Sequence, residues 1–84
     1  MSTGIRRLYA GTYTGYVTAL VDGRATQVDV WIVRQSGWPR DAQWSLTVTA
    51  ESGEKLVHST DCASRTLREC REQLRLQIEN GYSR

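Results

Sequence analysis

Between Gln43 and Ala50 the chain alternates without a break, with Trp44, Leu46, Val48 and Ala50 apolar and Gln43, Ser45, Thr47 and Thr49 polar. A period of two is that of a β-strand, whose successive side chains point to opposite faces of a sheet. One face suits a core, and the hydroxyl-rich face suits water or a polar partner. Such a strand needs neighbours along its edges and a cover for its apolar face.

The neighbours are legible on both sides of it. Tyr13 to Val21 reads as a strand, Asp22-Gly23 as the tight turn of a hairpin, and Ala25 to Arg34 as the returning strand. In that second strand Val28, Val30 and Ile32 alternate against Gln27, Asp29, Trp31 and Val33. Ser36-Gly37-Trp38-Pro39 ends it in a loop that also holds Arg40 and Asp41. Glu51 to Glu54 is a further turn, and Lys55 to Thr60 a short strand, with Lys55 suited to protecting an edge. Ile5 to Ala10 either adds an N-terminal strand or hangs loose.

The cover comes from the C-terminal third. From Ala63 to Asn80 the period becomes helical, with Asp61 or Ser64 as N-cap and Gly81 as the stop. Ala63, Leu67, Cys70, Leu74 and Ile78 fall on one narrow stripe. Arg65 with Glu69, Arg68 with Glu72 and Arg75 with Glu79 stand four apart and can compensate one another. The expected fold is α+β: an antiparallel meander of three to five strands with one C-terminal helix packed on one face. Residues 1–84 make a single small domain, with 1–12 an extra strand or frayed, 13–60 the strands and 63–80 the helix.

At 84 residues with 39% apolar composition, such a domain buries only about 60% or slightly more of its unfolded surface, which leaves little room for a deep cavity. The formal net charge of +2 neither demands nor excludes nucleic acid. Ten of the eleven cations are Arg, which suits planar, bidentate contacts, although a GC-rich genome gives the same bias. No stretch approaches the ~20 apolar residues of a membrane span, and Met1 to Arg7 leads into no signal-type apolar run. The expectation is a cytoplasmic protein with no membrane partner. Cys62 and Cys70, if both helical, stand about 12 Å apart, beyond disulfide reach. Free thiols fit a reducing compartment.

Chemistry-bearing constellations are sparse. Cys62, His58 and Asp61 are close in sequence, and a thiol near a helix N-terminus can be activated. However, His58 is the sole histidine and sits on an expected strand rather than one helical turn from Cys62. His58, Asp61, Cys62 and Cys70 are metal-ligand types without a closed four-ligand spacing. The glycines at 11, 15, 23, 37 and 53 are scattered in turn contexts and form no phosphate loop. No catalytic residue, cofactor or metal is assigned.

Binding candidates stand out more. Trp31 should emerge on the open face among Gln27, Asp29, Thr47 and Thr49 unless the N-terminal segment, through Tyr9 or Tyr13, covers it. Trp38 with Arg40 two residues on combines two residue types enriched at interface hot spots. Arg68, Arg71 and Arg75 form a stripe beside the apolar seam of the helix, diluted by Glu72 and Glu79, while Leu76 projects opposite that seam.

Strands followed by one helix, with Trp44 and a turn at Gly53 before the helix, resemble the three-strand-plus-helix DNA-binding domains of plant ethylene-response factors and the arm-binding domains of phage integrases. The resemblance covers residues 33 to 80 and implies DNA contacts by Arg and Trp on the open sheet face. Here the third strand offers Ser45, Thr47 and Thr49 with no Arg, so those contact residues do not carry over. The element order is also similar to that of a strand-rich antitoxin of the HicB kind, without its appended DNA-binding module.

Two functions are therefore expected. The first is a non-catalytic protein-interaction module that docks on a larger protein or nucleoprotein machine as an inhibitor or adaptor. Proteins of this size and chemistry include phage-borne inhibitors of host defence such as anti-CRISPR proteins. Trp31, Trp38, Arg40, Arg68, Arg71 and Arg75 are its candidate partner-binding residues. The alternative is a nucleic-acid module in which Arg6, Arg7, Arg24, Arg34 and the helix arginines meet phosphates while Trp31 or the tyrosines stack. A homodimer through an edge strand or Leu76 is compatible with either.

Overall fold

The computed structural model describes residues 4–83, so the first three residues of the N-terminal stretch and Arg84 lie outside the description. Six strands form one antiparallel sheet: β1 (Arg6–Tyr9), β2 (Thr12–Val21), β3 (Arg24–Arg34), β4 (Trp44–Ala50), β5 (Lys55–Val57) and β6 (Ala63–Ser64). The first five follow one another in meander order, and β6 pairs with β4. One helix, α1 (Leu67–Asn80), completes the α+β domain.

The turns show why the strands lie in this order. Asp22 and Gly23 both have positive φ, 52° and 82°, which is the two-residue turn whose twist matches the strands it joins. It sets the register Val21↔Arg24 through Thr12↔Val33. Gly53 at φ 94° closes the β4–β5 turn, where the Ala50 amide donates to the Glu54 carbonyl at 2.7 Å. The N-terminal stretch forms β1, the extra edge strand, with a bulge between Arg7 and Tyr9.

The alternation expected along β3 and β4 is what the sheet displays. Val17, Val28, Val30, Ile32, Leu46 and Val48 point to one side and are buried there with Cys70 and Leu74 of the helix. Burying each such side chain contributes about 1.5–3 kcal/mol, so this one thin layer is the fold's main support. After the helix the chain turns back at Gly81 (φ 77°). Tyr82 then bridges Val21 in parallel, its amide donating to the Leu20 carbonyl at 2.7 Å.

The start of the helix differs from the sequence expectation. Ala63 and Ser64 are strand residues opposite Ser45 and Trp44, and neither Asp61 nor Ser64 caps the helix. The N-cap is Thr66, whose hydroxyl accepts from the Glu69 amide at 3.1 Å. The Glu69 carboxylate in turn accepts from the Arg65 amide at 3.2 Å, a variant of the capping box displaced by one residue. Ala63 is thus exposed and leaves the apolar stripe, which starts at Leu67. The physical reason is that pairing with β4, including the Leu46 amide to the Cys62 carbonyl at 3.0 Å, satisfies this backbone before the helix begins. Because Cys62 lies outside the helix, the intrahelical argument against a disulfide does not apply, yet both cysteines are free thiols. β5, the short strand expected over Lys55 to Thr60, ends at Val57.

Candidate functional site

The side of the sheet away from α1 carries the candidate site. Strand pairing puts Trp31 opposite Thr14 on one flank and Thr47 on the other, with Tyr16 opposite Asp29 and Asp29 opposite Thr49. Trp31 and Tyr16 are therefore diagonal neighbours on one face. The Trp31 indole N–H donates to Asp29 Oδ2 at 3.3 Å, which fixes the ring against the sheet while leaving it 38% exposed.

Trp31 is neither buried nor wholly open. Arg6 and Leu8 of the N-terminal strand, with Thr14, Tyr16 and Asp29, line a shallow groove along its side. Tyr13 lies on the other face, where its ring meets Trp44 at 6.2 Å and the Arg71 guanidinium at 5.3 Å. Of the six large hydrophobic side chains that are exposed among the described residues, five (Leu8, Tyr9, Tyr16, Leu20 and Trp31) belong to β1, β2 and β3 and only Leu76 to the helix. Strand parity places Tyr16 beside Trp31, and puts Leu20, opposite Ala25, and Tyr9, opposite Thr12, on that same side toward its two ends.

This apolar field has limits. Toward the loop end it closes: Ser45 is 1% exposed, its hydroxyl donating to the Val33 carbonyl at 3.1 Å and accepting from Gln35 Nε2 at 3.3 Å. Thr12 is buried as well. Formal charge on the face is low, since parity brings to it only Arg6, Asp29 and Lys55 from the paired strand positions.

The other expected site residues stand elsewhere. Trp38 is half-buried in the β3–β4 loop, where its amide donates to the Gln35 carbonyl at 3.0 Å and its carbonyl accepts from Gln43 Nε2 at 3.4 Å. Arg40 is exposed at the start of a short 3-10 turn, Arg40–Ala42. Arg68, Arg71 and Arg75 line the flank of α1, in the layer opposite Trp31. The six residues thus occupy three surfaces, and no flat partner reaches the helix arginines and Trp31 together.

The helix charges also pair differently than spacing implied. Arg65–Glu69 and Arg75–Glu79 form at 3.2 Å and 2.7 Å, but Glu72 pairs with Arg75 rather than Arg68. The Arg75 hydrogen bond holds the Glu72 carboxyl below its usual range, and Glu72 in turn raises Arg75.

Cys62 and His58 do not make a reactive pair. His58 is exposed beyond β5. Burial pushes the Cys62 thiol up, only partly offset by the hydrogen bond from Gln77 Nε2 at 3.7 Å, which is the reverse of an activated thiolate. Cys70 is pushed up to about 12 by burial and by Cys62 beside it. Among the described residues no three His, Cys, Asp or Glu side chains cluster as metal ligands do, and no helix is long and apolar enough to cross a membrane.

Sequence reasoning found Trp31 through the β3 parity but missed Tyr16, Leu20 and Leu8. Tyr16 and Leu20 alternate with Val17, Ala19 and Val21, so the same parity argument applied to β2 would have found them. Leu8 sits at the bulge, which no sequence pattern marks. The chain matches no family model, and comparison with curated proteins and with solved structures returns no match.

Proposed function

We propose that the protein is a non-catalytic interaction module that docks on a larger protein through the open face around Trp31, acting as an inhibitor or adaptor by occupying its partner's surface. The observation carrying this reading is the segregation of exposed apolar side chains to one uncovered sheet face. Exposed hydrophobic groups scattered singly need no explanation, but Leu8, Tyr16 and Trp31 line one shallow groove with Thr14, and an apolar centre with a polar rim is how protein-binding surfaces are built. Trp31, hydrogen-bonded to Asp29 and flanked by Tyr16, presents a large aromatic side chain of the kind that anchors protein interfaces.

A nucleic-acid role is the second reading, favoured by one feature: Tyr16 and Trp31 are adjacent aromatics on which two bases could stack. The sparse positive charge of that face weighs against it.

The test is affinity capture from the native host's lysate with tagged wild-type protein and the Trp31→Ala variant, each with and without nuclease. A stoichiometric protein that survives nuclease and is lost with Trp31→Ala supports docking. Nucleic acid recovered only without nuclease, and shed at moderate salt, supports the second reading.

A further inference from the structure

The positive charge of this chain is unevenly placed. Arg7 on β1, opposite Tyr13, and Arg68, Arg71 and Arg75 on α1 gather at one edge of the molecule, where the carboxylates of those two elements are Glu69, Glu72 and Glu79. Elsewhere the described cations and carboxylates balance, six of each. Glu72 and Glu79 are both engaged by Arg75, and Glu69 by Arg65, which leaves Arg7, Arg68 and Arg71 as the cations of that edge outside an ion pair among the described residues.

Between these arginines lies a groove with an apolar floor, formed by Ile5, Leu67 and Leu74 and rimmed by Arg68, Arg71 and Arg75. Ile5 leads directly into β1, which among the described residues pairs with β2 on one side only. Its other side offers a row of backbone donors and acceptors to an added strand. Arg7 stands opposite Tyr13, and Arg71 lies over the Tyr13 ring, so an added strand's side chains on the helix side would meet Arg7 and Arg71 together with the apolar floor.

We infer that the β1 edge and the α1 flank form a second docking site, which takes an extended acidic peptide whose carboxylates alternate with polar residues around a central apolar side chain. The backbone of the peptide extends the sheet at β1, the apolar side chain covers Ile5 and Leu67, and the carboxylates meet Arg7, Arg68 and Arg71. Arginine presents a planar fork that matches a carboxylate in two parallel hydrogen bonds. A phosphate backbone would satisfy the arginines but leave the apolar floor and the strand edge without partners. This site lies on a different face from Trp31 and does not rest on the docking proposed there.

The test is fluorescence anisotropy with two labelled hexapeptides, Glu-Thr-Val-Thr-Glu-Thr and its counterpart with Lys in place of Glu, and a labelled single-stranded oligonucleotide. The expected result is saturable binding of the acidic peptide, at least about tenfold tighter than the lysine peptide. The double variant Arg7→Glu, Arg68→Glu, which leaves the Arg71–Tyr13 contact in place, should invert that preference. Trp31→Ala should leave peptide binding unchanged, which separates this site from the open face. Equal binding of the two peptides, no binding, or an oligonucleotide bound more tightly than the acidic peptide would each overturn the proposal.

Discussion

Within β3, Val28, Val30 and Ile32 are fully buried, while Gln27 and Trp31, interleaved with them, are on the exposed side of the same backbone. The two faces share strands, register and hydrogen bonds and differ in their side chains and in what covers them. The covered face is aliphatic and closed by a short helix. The uncovered face sets Tyr16, Leu20 and Trp31 among threonines. Stability and recognition can therefore be altered separately by substituting neighbours in sequence, since adjacent strand residues belong to opposite faces.

The largest effect should come from the covered face. Ile32→Ala removes a fully buried side chain at the centre of the sheet and should cost about 2–5 kcal/mol, read as a lower urea midpoint. Thr47→Ala, on the open face opposite Trp31, should stay within about 0.5 kcal/mol of wild type. Equal losses in these two variants would break the comparison.

Gly15→Ala sharpens it at the edge. A Cβ at Gly15 would stand 2.1 Å from the Gly4 carbonyl oxygen, closer than backbone can tolerate, so the N-terminal segment must shift. The expected cost is about 1–3 kcal/mol, with faster amide exchange concentrated in β1 rather than in β3 and β4. Next, Thr66→Ala deletes the hydroxyl that accepts from the Glu69 amide and should cost about 1 kcal/mol. Asp61→Ala, at the residue sequence spacing suggested as the cap, should cost less than that.

A further effect, confined to alkaline pH, comes from two buried groups. In the folded protein Cys70 is pushed up to about 12 from an ordinary 9.0, by burial and then by Cys62, and Tyr82 is raised to about 12 from 10.0 for the same reasons. Both groups keep their protons when folded and lose them sooner when unfolded. Their contribution is thus full below about pH 9 and falls as pH rises toward 12. The urea midpoint should decline over that window, and Cys70→Ala should flatten the decline.

Much of the sheet was legible because its signals are local. The alternation in β3 and β4, the Asp22-Gly23 turn and the Gly53 turn each constrain a few consecutive residues, and all appear where expected. The helix start was misplaced because Ala63 falls at helical spacing from Leu67, whereas its backbone is claimed by β4, a partner many residues away. A better local signal was present: Thr66 followed three residues later by Glu69 is a capping pattern. The binding candidates fared differently for the same reason. Trp31 follows from strand parity, but the separation of Trp38, Arg40 and the helix arginines onto other surfaces depends on how sheet and helix stack. The convergence of Arg7 with Arg71 likewise joins segments with no sequence relationship.

The most direct measurement is a paired one on Trp31→Ala: its urea midpoint and its capture of the nuclease-resistant protein partner, both beside wild type. Docking through the open face requires a stability change below about 1 kcal/mol together with a loss of more than about 2 kcal/mol in binding. A variant that keeps its fold and still retains the partner in full would contradict it.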